Sequence, residues 1–584
     1  MSVSTEIERD VVICGGGLAG LLLARQIRRE LPGTSVTVVE RQPRPLPDGC
    51  HKVGESSVEV ASQYLARLGL TDYLHARQIP KLGLRFFPGG GELPLQHRTE
   101  IGPSAEPIVG SWQLDRGRFE DDLRAMIVAE DGAELVEGAR VHSIELGADG
   151  ARHGVVFERD GAPARLAARW VVDATGRAAL LRRQLKLTRG TQHLASAGWF
   201  RIAGRFDINT LVPASEEDWH NRPCGRQRWR STNHFMGPGY WAWVIPLSSG
   251  MTSIGLVIQE DTHAFGTVST EAGVRAFLET HEPQLARALR DWEALDFLCL
   301  RHYANMVARC WSTERWAIVG IAGAFVDPLY SPGSDFIAFA NCFTTELMRR
   351  ERAGEDIARR VTQLNIQYRT FVSSTIELFR TAAPVYGHPQ AMAAKVYWDN
   401  FTYWSYTCQY FQRQVWTLGP EHHEPFDDAG RRFVRYATGV HALLRAWAEL
   451  APPVQSRAMK PMPTFPSLLA DAHIAIGREM SIDEALAYVA ERADQAREVA
   501  GELVLRAVQE VGPELGRELL LRSRFPEWEL SIPPARLDLE ALDARTRRRR
   551  LSPVAVDVES NLGPMRRHAD AAQALELLLS GSTT

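Results

Sequence analysis

Three features predict an α/β fold with a mainly helical C-terminal region. The first is the run from Asp10 to Glu40, where an apolar stretch, a glycine-rich turn, a helical pattern and a second apolar stretch follow in order. The second is a block of alternating strand-like segments between residues 195 and 260. The third is the dominance of helical periodicity from Asn341 onward. Together they predict a Rossmann-like nucleotide-binding domain, an inserted antiparallel β-sheet and a helical remainder. The expected division is a core over residues 1–345, with the inserted sheet at about 190–300, and a helical region over 346–584.

Residues 11–14 form a short apolar run of the kind a buried parallel strand requires. Gly15, Gly17 and Gly20 fit G-x-G-x-x-G. Gly15 permits the tight turn, Gly17 lets the backbone approach a pyrophosphate, and Gly20 lets helix and strand pack closely. Leu18 and Ala19 belong to the same turn, at a helix N-terminus whose free N–H groups suit phosphate. Pro32-Gly33 ends the helix, and residues 36–39 make a second buried strand closed by Glu40. That acid is placed to accept hydrogen bonds from a ribose. At this point either FAD or NAD(P) satisfies the pattern.

A proline-rich loop then leads to Lys52 and Val53-Gly-Glu-Ser56. Ser56 and Glu59 have capping-box spacing for a helix reaching about Leu68, with Gly69 as its stop. Residues 82–87 read as a strand, and Arg118 precedes an amphipathic helix carrying Phe119, Leu123, Met126 and Ile127. Further strands are expected at 155–157 and 170–172, the latter running into Asp173-Ala-Thr-Gly176-Arg177. In the inserted block, 197–202, 240–246 and 252–258 read as strands. Residues 316–319 are another, and 396–411 form an unusually aromatic helical stretch. Residues 452–466 read as a proline-rich connector, and the last hundred residues as charged amphipathic helices with a basic run at 545–550.

Composition removes several classes. A net charge of −4 gives no whole-chain electrostatic case for nucleic acid. The seven cysteines are scattered without a C-x-x-C pair, so neither a zinc site nor a disulfide framework is expected. The polar N-terminus does not read as a signal peptide, and no stretch is apolar for long enough to span a bilayer. The expected location is a reducing cytoplasm.

Four further stretches sharpen the reading. The glycine fingerprint, Asp173-Ala-Thr-Gly176 and Gly320-Ile-Ala-Gly-Ala-Phe-Val-Asp327-Pro328 together resemble the FAD-binding architecture of aromatic hydroxylases related to para-hydroxybenzoate hydroxylase. Trp241-Ala-Trp243-Val-Ile-Pro246 matches W-x-W-x-I-P, and Phe325-Val-Asp-Pro328-Leu-Tyr-Ser331-Pro-Gly333 matches F-x-x-P-x-x-S-x-G. Both resemble signatures of the flavin-dependent halogenases, and Lys52 before Gly54-Glu55-Ser56 resembles their essential lysine. The resemblance covers roughly residues 8 to 345.

This resemblance implies FAD, used as FADH2 delivered by a separate flavin reductase, with O2 and chloride or bromide as co-substrates. Hypohalous acid formed beside the flavin would pass through an internal tunnel to Lys52, which holds it for an electron-rich acceptor. Cofactor contacts fall to Gly15, Gly17, Leu18, Ala19, Gly20, Glu40, Arg118, Asp173, Gly176, Asp327 and Gly333. The halide falls to Gly333 and Ser334, and the tunnel wall to Trp241, Trp243, Phe325, Pro328 and Ser331. Glu55 is either a base, a partner of Lys52 or a helix-start acid. His51 and His234 read as structural. Pro332 offers no N–H to a halide. Ile321 stands where the flavin family usually has aspartate, and Tyr330 where tryptophan-specific members carry glutamate. The expected acceptor is therefore a phenol, pyrrole, alkene or carrier-protein-tethered acyl group in natural-product biosynthesis. An FAD monooxygenase and a non-catalytic flavoprotein-like binding protein are the two alternatives.

Overall fold

The computed structural model describes residues 7–47, 52–523 and 551–564. Its first sheet has seven strands. The strand Ile7–Cys14 pairs in parallel with Val36–Val39 on one side and with Ala162–Asp173 on the other. Glu134–Val136 extends it beyond Val36–Val39. The long strand Ala162–Asp173 is shared along its free edge. Its first half pairs antiparallel with His153–Arg159, and its last three residues pair in parallel with Trp316–Ile318. The C-terminal ends of four parallel strands therefore meet at one edge, where Cys14, Val39, Asp173 and Ile318 release their loops. Ligands of doubly wound sheets bind at such an edge.

The second sheet has eight strands. Its centre is the expected antiparallel block, Ala195–Ala203, Thr232–Gly237, Tyr240–Pro246 and Met251–Gln259. Leu84–Phe87 joins this block in parallel beside Thr232–Gly237, followed by Glu100–Gly102. Met459–Pro461, inside the stretch read as a connector, completes the edge in parallel with Glu100–Gly102. Three residues ending in proline carry no periodicity, so only the docking of the chain reveals this strand.

Helices close the structure. Pro332–Arg352 lies against the helix Leu18–Glu30, with Asn341 Nδ2 donating to the Ala19 carbonyl at 3.0 Å. Ala358–Arg380, Pro389–Thr402, Pro420–Leu450 and Ile482–Val511 follow. The aromatic stretch changes to a π-helical turn at Tyr403–Thr407. The helix Glu59–Arg67 starts at Val58 with no side-chain cap. Ser56 does not form the expected capping box. Its hydroxyl lies 3.0 Å from that of Thr232, because this segment is tied to the second sheet before the helix begins. Residues 545–550 and His51 lie outside the described residues. Among the described residues no helix is long and apolar enough to cross a membrane, and no group of His, Cys, Asp or Glu is disposed to hold a metal ion.

The edge of the second sheet is held by charge. Glu100 is fully buried, ion-paired with the equally buried Arg85 and Arg228. Arg222 adds a contact at 2.9 Å. The arginines overcome burial and hold the Glu100 pKa down at about 2. Its contribution to stability is fully present above the unfolded carboxylate value of about 4.3 and is lost as pH falls through about 2. Glu100→Gln strands three arginines, two of them fully buried, and is expected to cost about 3–5 kcal/mol in urea unfolding at neutral pH. A loss below about 1 kcal/mol would refute this account of the edge.

Candidate active site

A cavity of about 890 Å³ opens at the edge where the parallel strands end. Gly15 has φ of +116°, and a Cβ there would meet the Ala174 carbonyl oxygen at 2.3 Å. A Cβ on Gly20 would meet the Gly15 oxygen at 2.0 Å. Gly17 differs, since its nearest neighbour would be Glu120 Oε2 at 4.0 Å. Two glycines are thus demanded by packing, while the third keeps backbone open to the cavity. Gly17 is also the N-cap of its helix and supplies no side-chain cap, so the helix start faces the cavity with free donors. Glu40 accepts from the Gly16 and Gln42 amides at 2.6 and 2.8 Å. Leu18, Ala19, Gly176, Ile321 and Asp327 also line this cavity. The residues present fit a dinucleotide.

Several sequence-derived site residues take other tasks. Asp173 is fully buried and does not line the cavity. Its carboxylate accepts from the Thr175 amide and hydroxyl at 3.0 and 2.6 Å and from the Leu181 amide at 2.8 Å, which holds the turn after the strand. Arg118 donates to the Ser248 carbonyl at 3.1 Å, while Arg116, two residues and about 200° earlier on the helix, lines the cavity. Asp327 anchors a loop by accepting from Tyr303 at 2.6 Å and the Leu329 amide at 3.0 Å, with His193 Nε2 at 3.0 Å.

Glu55 is no partner of the Lys52 amine. It accepts from Arg201 at 2.8 and 3.1 Å, and the same guanidinium binds Asp296 and the Lys52 carbonyl. Lys52 lines the first cavity and is ion-paired with the fully buried Glu120. Its side chain is 31% exposed, so it lacks the desolvation that an amine holding an oxidant needs.

A second cavity, of about 600 Å³, lies on the other side of the loop after Asp327. Pro328, Ser331, Gly333 and Ser334 face the first cavity, while Tyr330, Pro332 and Asp335 face the second. Tyr330 and Ser331 are consecutive left-handed residues, φ +64° and +60°, and the helix starts at Pro332 without a side-chain cap. Proline at this first helical position gives up a donor that no carbonyl of the helix would have used. The amides of Gly333 and Ser334 remain, and a Cβ on Gly333 would meet nothing within 4 Å.

Lys81 is the lysine of the second cavity. It ends the short strand Ile79–Lys81, which is paired with Ser111–Gln113. It is 1% exposed and donates to the Ser57 carbonyl at 2.7 Å. Burial pulls its pKa down to about 7 against the opposing pull of Glu59 and Asp335. Burial also raises Asp335 to about 7, while Tyr403 donates to it at 2.7 Å. Trp404 Nε1 donates to Glu59 at 3.1 Å, so the π-helical turn places two aromatic donors on the acids beside Lys81. A charged residue inside the apolar run Ile79-Pro-Lys-Leu-Gly-Leu84 was the available sequence signal.

Trp241 and Trp243 are buried and line the first cavity. Trp241 lies 5.5 Å from the ring of His234, which stacks at 4.7 Å on Phe86 of the second cavity. Three rings in series thus connect the two cavities. His234 Nδ1 donates to the Arg85 carbonyl at 3.0 Å, and burial lowers its pKa to about 3, so the imidazole in this wall is neutral.

Known proteins resemble this chain in sequence and in fold. A family model described as an FAD binding domain matches residues 8–271. A flavin-dependent halogenase of Dictyostelium discoideum, chlA, is 29% identical over 432 residues, 68% of this chain and 69% of the relative. A 1H-pyrrole-2-carbonyl-(peptidyl-carrier protein) brominase of Pseudoalteromonas luteoviolacea is 24% identical over 358 residues, 59% of this chain and 79% of that one. Among solved structures, the halogenase PltM, as a point mutant in complex with FAD, superposes with a TM-score of 0.61 at 17% identity, covering 85% of this chain and 96% of that one.

The three glycines make separable predictions. Gly17→Ala should leave the unfolding midpoint within about 2 °C of the parent and weaken FAD binding roughly tenfold, about 1.4 kcal/mol, by flavin fluorescence quenching. Gly20→Ala should lower both together. Equal loss of stability in the two variants would contradict the assignment of Gly17 to the cofactor.

Proposed function

We propose that this chain, which belongs to the flavin-dependent halogenase family and is an FAD-dependent halogenating oxidoreductase, transfers halogen to an electron-rich organic acceptor in the second cavity, with Lys81 holding the oxidant. The observation that carries this is the buried, desolvated amine of Lys81 on the acceptor side of the loop Asp327–Ser334. Gly15, Gly17, Leu18, Ala19 and Gly20 would hold the pyrophosphate of FAD, Glu40 the ribose, and Gly176 and Asp327 would shape the remaining contacts. Bound there and reduced by a separate reductase, the flavin would supply hypohalous acid from O2 and chloride or bromide. The amides of Gly333 and Ser334 receive the halide at the start of the helix Pro332–Arg352.

The acceptor is kept from the flavin by Trp241, Trp243, Phe325, Pro328 and Ser331, backed by His234 and Phe86. Hypohalous acid passes the loop, and Lys81 holds it through a hydrogen bond or as a haloamine. Either requires an unprotonated or weakly solvated amine, which burial supplies. Lys52 instead steadies Glu120 beneath the fingerprint turn. The described helices between residues 346 and 477 cover the acceptor. A phenol, pyrrole or carrier-tethered acyl group suits this cavity better than free tryptophan, because Tyr330 replaces an acid there.

Lys81→Met should lower halogen transfer to a phenol by roughly 100-fold or more while FAD binding is unchanged. Lys52→Met should retain transfer within about threefold when FAD is saturating. In the parent the rate should rise as pH passes about 7, where Lys81 loses its proton. The reverse ranking of the two variants would restore Lys52 and remove Lys81. Wild-type protein that hydroxylates the acceptor without halide would favour a monooxygenase.

A further inference from the structure

The second cavity holds a group of side chains that oxidant transfer does not use. Asp399, from the helix Pro389–Thr402, and His441, from the helix Pro420–Leu450, both line it. Asp399 Oδ1 is 3.1 Å from His441 Nε2, and Asp399 Oδ2 accepts from Lys395 Nζ at 2.9 Å. Lys395 is itself fixed by the Leu378 carbonyl at 3.0 Å. All three are at most 6% exposed. The Tyr330 ring lies 5.8 Å from the Lys395 ammonium, which places the group directly beneath the loop that separates the cavities.

This geometry fixes a tautomer. The Asp399 pKa is lowered, with Lys395 and His441 together outweighing the effect of burial, so the carboxylate only accepts. His441 Nε2 must then be the donor, and the lone pair sits on Nδ1. Burial lowers the His441 pKa, which keeps the ring neutral and able to take a proton. The charged and titratable groups facing it are Asp399 and Lys395 from one helix, Glu377 from another, and Tyr330 beyond Asp399. A neutral imidazole backed by a fixed carboxylate is the pattern of an oriented base.

The lining also defines what the base would meet. Phe336, Phe371, Phe379 and Phe433 supply aromatic surface. Glu59, Glu377 and Asp399 disfavour an acceptor that arrives as an anion. A neutral ring with an ionisable hydroxyl meets both demands. A pyrrole N–H is too weakly acidic for imidazole to remove.

We infer that His441, oriented by Asp399, is the base that takes the hydroxyl proton of a phenolic acceptor bound in the second cavity. This rests on the halogenation reading for the step it serves. The phenol O–H bond breaks and its proton goes to His441 Nδ1. The phenolate ring carbon bonds to the halogen of hypohalous acid, the halogen–oxygen bond breaks, and the hydroxide leaves hydrogen-bonded to the neutral Lys81 amine. The displaced ring proton passes through that amine to the hydroxide, giving water, and His441 returns its proton to the product oxygen. The sum is a phenol plus hypohalous acid giving a halophenol plus water, with carbon oxidised and halogen reduced.

The test uses the full chain with FAD and two readouts. In the first, 4-nitrophenol is titrated with pH by its phenolate absorbance. On the parent it should ionise about one pH unit lower than on His441→Gln, with Asp399→Asn in between. The same ionisation in parent and variants, or no binding to the parent, overturns the inference. In the second, reduced FAD, O2 and bromide are supplied with a phenol or its methyl ether. His441→Gln should slow the phenol about 100-fold and the ether by no more than about twofold. Equal losses overturn the inference. If the parent brominates neither acceptor yet still shifts nitrophenol, the halogenation reading fails and the phenol base stands. Should one variant not fold, the other decides by the same criteria.

Discussion

The separation of the two cavities in this molecule depends on the loop Asp327 to Ser334. From Tyr330 to Gly333 successive residues face opposite cavities, so one stretch of backbone is both the floor of one and the roof of the other. Two consecutive non-glycine residues in left-handed conformation produce the alternation, at a cost of about 1–3 kcal/mol each. Such a conformation persists only where its surroundings over-determine it. Asp327 is tied by three partners at one end, and the helix Pro332–Arg352 is packed on the fingerprint helix at the other. The same helix start that ends the strain presents two amides to the first cavity.

The nucleotide half was legible in the sequence because its determinants are local. Gly15 and Gly20 are dictated by contacts within a single strand–turn–helix and the turn beside it, and the apolar runs flanking them leave little choice of element. The aromatic pair Trp241 and Trp243 falls on one strand face by simple alternation. What failed to be legible was set by distant packing. Lys52 stands next to a recognisable motif, yet a buried acid 68 residues away claims it. Lys81 is held buried by a two-stranded ribbon and a carbonyl that its own neighbours do not reveal. Arg118 and Arg116 differ only in helix phase. Asp173 lies in a motif but spends its oxygens on its own turn. The strand at Met459–Pro461 is defined wholly by its partner.

The helical half shows why its residues resisted a functional reading. Its polar groups act across elements. Tyr403 and Trp404 reach acids of the core through a π-helical turn, and Asp399 joins Lys395 to His441 between helices. In a periodic pattern each of these is one polar position among many. A π-helical turn is rare and is found disproportionately at functional sites. Here it rotates the aromatic run so that donors point at the cavity.

The account places the formation of oxidant and its delivery in different cavities. The direct measurement is the partition of bromine between a phenolic acceptor and a scavenger confined to solvent, for parent and Lys81→Met under reduced FAD, O2 and bromide. The account predicts that the parent delivers bromine mainly to the phenol. It predicts that the variant oxidises bromide at a similar rate but delivers it mainly to the scavenger. A variant that no longer oxidises bromide, or that still brominates the phenol as the parent does, would contradict the division.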